Sequence, residues 1–145
     1  MTKEQFFEMI MTICDWESPD DEEKLEPLIE YLSFKSDEEI FAFDDIMAQL
    51  LYDIDTKKNF TAAQKYSEHS DDTFLYSRCV ALVNGEDYYE RVKRGQAPEL
   101  WEMEFECILY VPSNAWARKH NSSADDYPHL TPVSYETGSN VGEWG

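Results

Sequence analysis

SDEEIFAFDDIMAQLLYDI, residues 36–54, decides the fold class. Ser36 and Glu39 stand three apart as a capping box, in which the hydroxyl accepts from a backbone N–H one turn in and the acid reaches back. Beyond them Ile40, Phe43, Met47, Leu50, Leu51 and Ile54 fall on one stripe at helical spacing, the mark of an amphipathic helix. A second, weaker stripe of Phe41, Asp45, Ala48 and Tyr52 runs on nearly the opposite side, where a wet face should be polar. Either this helix packs on both sides, or Phe41 and Tyr52 belong to a binding surface.

The segments on either side carry the same period. Thr2 with Gln5 is a second capping box, and Phe6, Met9, Ile10 and Ile13 follow it, predicting a helix over about residues 3–14. Asp15 to Asp21, with Pro19, breaks that helix. Leu25, Leu28, Ile29 and Leu32 predict the next, short or bent because Pro27 removes a backbone donor from its interior. After residue 54, Asn59 is placed to cap a short helix containing Phe60, Ala62, Ala63 and Tyr66. Ser70-Asp71-Asp72 opens another that ends at Asn84-Gly85. Its Phe74, Leu75, Tyr76, Cys79, Val80, Leu82 and Val83 leave few polar positions, as expected of a central, buried helix.

A further short helix through Tyr88, Tyr89 and Val92 closes near Gly95. Pro98 suits the first turn of a helix over Glu99 to Tyr110, and Pro112 that of one reaching about Lys119. Cys107–Val111 is short enough to read as helix or strand. From Asn121 onward Ser, Asp, Pro, Thr and Gly dominate, and Tyr127, Leu130, Tyr135 and Trp144 suit an irregular tail lying against a domain. The expected architecture is all-α: one compact domain of six to eight helices over residues 1–120, with an irregular extension over 121–145 packed on it.

Charge bounds the partners. Thirty-one acids against twelve bases give −19 over 145 residues, and residues 1–55 supply −14 of it with seventeen acids and three bases. Such a field repels nucleic acid and anionic membranes and attracts basic proteins or cations. At 42% hydrophobic residues the chain is still apolar enough to fold. There is no apolar run long enough to span a bilayer and no basic-then-apolar start of a secretory signal, so a cytoplasmic location is expected.

The chemistry-bearing residues form no recognised motif. Cys14, Cys79 and Cys107 are widely spaced among apolar neighbours and read as reduced, buried thiols rather than as zinc ligands. The acid pairs, Asp20-Asp21, Glu22-Glu23, Asp44-Asp45, Asp71-Asp72 and Asp125-Asp126, lack the alternating ligands and central Gly of a calcium loop, so no metal and no cofactor are expected. His69, His120 and His129 are isolated. A hydrolase would need a concave pocket bringing His69 or His120 beside carboxylates, and no nucleophile motif or phosphate-cradling loop supports one, so the reading is of a protein without catalysis. Arg78, between Phe74 and Leu82 on an apolar stripe, needs a partner. Asp71, or an acid on the second or third helix, would make a structural ion pair with it, and several backbone carbonyls are the other partner expected.

Asn59-Phe60-Thr61-Ala62-Ala63, followed by Ser70-Asp71-Asp72-Thr73-Phe74-Leu75-Tyr76-Ser77-Arg78, resembles the bacterial domain of unknown function 4240. Its members show Leu-Trp-x-Ala-Ala, then Ser-Asp-Asp-x-Phe-x-x-Phe-Arg, ending at a Gly where this chain has Gly85. Phe105-Glu106 through Val111, with Ala115-Trp116, is similar to that family's later Phe-Glu and Ala-Tyr helix pair. Phe60 stands for the Trp, Ser77 for an aromatic, and Glu68-His69 for a usual Gly-Gly. The resemblance covers roughly residues 3–120 and implies an all-helical domain with no catalytic residues to carry over.

A small acidic protein without chemistry of its own fits an immunity protein, a stoichiometric inhibitor of a basic bacterial toxin, in particular a nuclease domain whose cleft it covers. Opposite charge speeds such an association. The candidate partner-binding residues are Glu22, Glu23, Glu26, Glu30, Asp44 and Asp45, with Phe41, Tyr52 and Trp16 as aromatic anchors. The alternative is an acidic adaptor or regulatory module for a basic host protein.

Overall fold

Thr2, Asp20, Ser36, Thr56 and Ser70 each turn a side-chain oxygen onto a backbone N–H at a helix start, and five of the helices open on them. The computed structural model describes residues 1–145. It contains α1 (Lys3–Ile13), α2 (Asp21–Ser33), α3 (Asp37–Asp53), α4 (Lys57–Gln64), α5 (Asp71–Val80), α6 (Glu86–Lys93), α7 (Val111–His120) and α8 (Val141–Trp144), with short 3₁₀ segments at Pro98–Glu102, Glu106–Tyr110 and Ala124–Asp126. No strand forms, so Cys107–Val111 is a 3₁₀ turn running into α7. The all-α expectation holds.

The residues cluster into two compact units: Met1–Ile46 with Cys107–Pro132, and Met47–Glu106 with Val133–Gly145. The division falls inside α3 and inside the irregular tail. In the first unit α2 lies along α7 and against α1, and the core is built on Phe6, Ile10, Leu28, Leu32 and Phe43, with the Phe6 and Phe43 rings 4.9 Å apart. In the second, the 3₁₀ segment at Pro98–Glu102 packs on α5 and α4, with Phe74 stacked on Trp101 at 5.3 Å.

Several local expectations change. Pro27 sits inside α2 without ending it, because buried Leu25, Leu28, Ile29 and Leu32 hold the helix on both sides of the missing donor. Thr56, not Asn59, caps α4, while Asn59 turns its amide to the Ile54 carbonyl at 3.0 Å. α5 stops at Val80, four residues before the Asn84-Gly85 signal, and Gly85 instead starts α6 at φ 92°, a backbone conformation that favours glycine. The helix expected over Glu99–Tyr110 is broken into two 3₁₀ segments. At the break Ser77 Oγ donates to the Met103 carbonyl at 2.7 Å and the Phe105 N–H donates to the Tyr76 carbonyl at 3.0 Å, so α5 captures backbone groups that a continuous helix would have used itself.

Candidate binding surface

Tertiary contacts sort the acidic residues into engaged and open ones. In the first unit Tyr127 Oη donates to Asp44 at 2.9 Å, and the His129 ring nitrogen lies 2.7 Å from Asp45. The Phe41 ring stacks on His129 at 4.5 Å, nearly parallel. Phe41 and Asp45 of the second stripe thus meet the tail within the first unit, and Asp44, 7% exposed, leaves the set of candidate contacts. Burial pushes the Asp44 carboxyl above its ordinary value, with the Tyr127 hydroxyl pulling the other way.

Glu22, Glu23, Glu26 and Glu30 are exposed on α2. Glu26 receives Arg118 at 2.6 Å, and Glu23 accepts from Ser18 Oγ at 3.0 Å. Asp37, at the start of α3, takes both Lys119 and His120 at 2.8 Å. Those two contacts, Lys119 first, hold its carboxyl below the usual carboxylate value. The last turn of α7 therefore neutralises part of the acidic surface, placed as the macrodipole prefers. His120 does meet a carboxylate, on an exposed helix end. Trp16 is half-buried, its indole N–H donating to the Ile10 carbonyl at 3.2 Å, and Tyr52 is half-buried on α3.

An open groove of about 570 Å³ lies elsewhere in the first unit, and its residues are absent from the candidates drawn from sequence. α1 contributes Gln5, Glu8, Met9, Thr12 and Ile13 to it, α2 Tyr31, and α3 Glu38, Glu39 and Ala42, with Met1 at one end. Met9 and Ile13 read as core because they continue the stripe of Phe6 and Ile10. The folded helix turns Phe6, Phe7 and Ile10 inward and leaves Met9 and Ile13 on its flank, half-buried. The signal was available: Phe7 widens the apolar arc enough for α1 to bury one edge of it and show the other.

Arg78 meets backbone carbonyls, as one of its two expected kinds of partner, and not the Asp71 carboxylate. Its guanidinium, 0% exposed, donates to the Leu51 carbonyl at 2.9 Å, the Tyr135 carbonyl at 2.9 Å and Thr137 Oγ1 at 3.2 Å, and lies 4.8 Å over the Phe74 ring. Asp71 is exposed on α5, and it is its backbone carbonyl that is engaged, accepting from Thr137 Oγ1 at 2.7 Å. α3 ends with no basic residue in its last turn. Its last carbonyls are satisfied from other elements of the second unit: Leu50 by Tyr89 Oη at 2.6 Å, Leu51 by Arg78, and Tyr52 by the Asn140 amide at 2.9 Å. Arg78 is thus a tertiary C-cap, with its charge at the negative end of α3.

Asp55, also 0% exposed, completes the clamp on residues 133–145. It accepts from the Gly138 N–H at 3.1 Å, the Asn140 N–H at 3.2 Å and the Trp144 indole at 2.9 Å. Burial lowers the Arg78 value, and Asp55 is the foremost charge pulling it back up. His69 is fixed between carbonyls, its ring nitrogens 2.9 Å from Ser67 O and 3.0 Å from Trp101 O. Burial pushes the Cys14 thiol up to about 12 and, with Asp21 adding to it, the Cys107 thiol up to about 11. No group of three or more His, Cys, Asp or Glu side chains is placed to hold a metal ion.

A family model described as a protein of unknown function (DUF4240) matches residues 1–118. The chain belongs to the DUF4240 family. The match ends within α7, so the DUF4240 region carries the groove and Arg78, while the tail that engages Asp44, Asp45, Asp55 and Arg78 lies beyond it. No curated protein and no solved structure matches the chain. No helix of this DUF4240 member is long and apolar enough to cross a membrane.

Proposed function

We propose that this DUF4240 chain is an immunity protein, binding a basic toxin domain, in the first instance a nuclease, and blocking its substrate cleft. One observation carries the reading. The first unit holds seventeen acids against five Lys and Arg, a net charge of −12, and its cations are already engaged. Lys24 pairs with Asp21, Arg118 with Glu26 and Lys119 with Asp37, Lys35 lies over the Tyr31 ring, and Lys3 has a partner. The acids left over make a surface of one sign, which accelerates encounter with a cationic partner and disfavours nucleic acid. Glu22, Glu23 and Glu30 belong to that surface, with Trp16 beside it in sequence and Phe34, 82% exposed, as a further aromatic contact.

The test begins with the gene next to this one. It should encode a basic toxin domain that forms a 1:1 complex with the chain and loses its toxicity when the two are co-expressed. A neighbouring toxin that kills equally well with and without the chain overturns the proposal. A neighbourhood without any toxin gene favours the other use of the same surface, an adaptor for a basic protein of the cell itself.

A further inference from the structure

We infer that the groove between α1, α2 and α3 is the seat of the partner's contact, and that it takes a short basic amphipathic helix, about two turns long. This deepens the proposed function and rests on it for the sign of the partner's charge. The lining separates by chemistry. Met1, Met9, Ile13 and Ala42 supply apolar lining and Glu8, Glu38 and Glu39 carboxylates, with no Lys or Arg among the lining residues. Methionine is unbranched and adapts to irregular apolar shapes, which suits a lining that must fit an incoming side chain.

Size and charge point to the same occupant. The lining residues of α1 run from Gln5 to Ile13, a rise of about 12 Å, so the groove accepts anchors spaced at i, i+4 and i+7 on a helix. Its volume, about 570 Å³, is in the range of binding clefts, and being open it can admit a helix laid along it. Tyr31, on the α2 wall, already holds a cation: Lys35 Nζ sits 4.6 Å from its ring centroid. With that face of Tyr31 covered from within the chain, a partner's Lys and Arg side chains have Glu8, Glu38 and Glu39 to meet. An acidic or neutral helix would leave those three carboxylates facing like charge or nothing.

A fluorescein-labelled Leu/Lys peptide of about 18 residues, patterned to form an amphipathic helix, tests this by anisotropy without requiring the natural partner. Its isomer of equal composition and charge, scrambled so that no face is apolar, is the control. The amphipathic peptide should bind at least about tenfold more tightly than the isomer. The triple variant Glu8→Gln, Glu38→Gln, Glu39→Gln should bind it about tenfold more weakly, while Glu68→Gln, Glu102→Gln, Glu104→Gln, exposed acids of the second unit with the same change in charge, stays within about twofold. Met9→Gln should also weaken it, with an unchanged thermal melt showing that the fold is kept. Equal binding of the two peptides, equal loss in the two triple variants, or no binding by the wild-type chain would each overturn the inference. A chain that neutralises its toxin but ignores both peptides overturns the groove and leaves the immunity reading standing. One that binds the amphipathic peptide but no neighbouring toxin does the reverse.

Discussion

Replacing Arg78 by Met keeps most of the buried volume and removes the charge and every donor. The buried Leu51 carbonyl and the half-buried Tyr135 carbonyl lose their side-chain partner, as does Thr137 Oγ1. An orphaned buried polar group costs about 1–3 kcal/mol, and the C-terminal end of α3 also loses a cation that complements its dipole. Asp55 is left without the opposite charge that faces it through the tail. Breaking a buried charge arrangement from one side is expected to cost about 3–5 kcal/mol in all, a large part of the stability of a small protein. Arg78→Lys should fall between the wild type and Arg78→Met, since an ammonium keeps the charge but cannot span acceptors on two segments as the guanidinium fork does. Urea unfolding followed by circular dichroism and tryptophan fluorescence gives the free energies, and hydrogen exchange at Gly138 and Asn140 reports the clamp itself. A loss below about 1 kcal/mol for Arg78→Met would refute the argument, because it would mean that water or relaxation replaces the lost contacts at no cost.

Asp55→Ala should release residues 133–145 and cost about 3–5 kcal/mol, whereas Asp55→Asn, whose one oxygen can keep the Gly138 and Trp144 donors, costs less; hydrogen exchange and urea unfolding measure both. Asp44, with its value raised by burial, contributes stability that is full below the ordinary 3.8 and is lost as pH rises through the folded value. Asp44→Asn, which still accepts from Tyr127, should therefore be at least as stable as the wild type at pH 7, and a loss above about 1 kcal/mol contradicts this. Asp37 has the opposite sign: its contribution is present above 3.8 and disappears as pH falls through its lowered folded value, so Asp37→Asn should be less stable at pH 7 and flatter across the acid range in thermal melts. With burial raising both thiols, little Cys14 or Cys107 is thiolate at pH 8, so the native protein should react slowly with a disulfide reagent and rapidly once unfolded in urea.

Local signals carried most of the helices. Caps at Thr2, Ser36 and Ser70 and the stripes on α1, α3 and α5 are properties of neighbouring residues, and they survive in the fold because nothing in the tertiary structure competes with them. The misreadings occur where a distant segment intervenes. Ser77 and Tyr76 hold the backbone at Met103 and Phe105 and divide an expected helix, and no pattern within residues 99–110 announces it. The need of Arg78 for a partner was legible from its apolar surroundings, but its actual partners are carbonyls at the end of α3 and in the tail, which spacing along the chain cannot reveal. The candidate surface was legible by sign and not by place. Charge singled out the first 55 residues, yet Phe41, Asp44 and Asp45 are taken by Tyr127 and His129, more than eighty residues away in sequence for both acids. The groove was only partly legible: Phe7 widens the apolar arc of α1, yet Met9 and Ile13 fit a core stripe as well as they fit a flank.

The most direct measurement of the central claim is the association rate of the chain with the basic toxin domain encoded beside it, followed by stopped-flow fluorescence at rising salt. If the uncompensated acids of the first unit guide the encounter, the rate should fall by about tenfold or more between 0.05 and 0.5 M salt, as the screening length shrinks from over about 10 Å to a few Å. Neutralising Glu8, Glu38 and Glu39 should flatten that dependence. A rate independent of salt, or a rate and dependence left unchanged in that variant, would contradict the account.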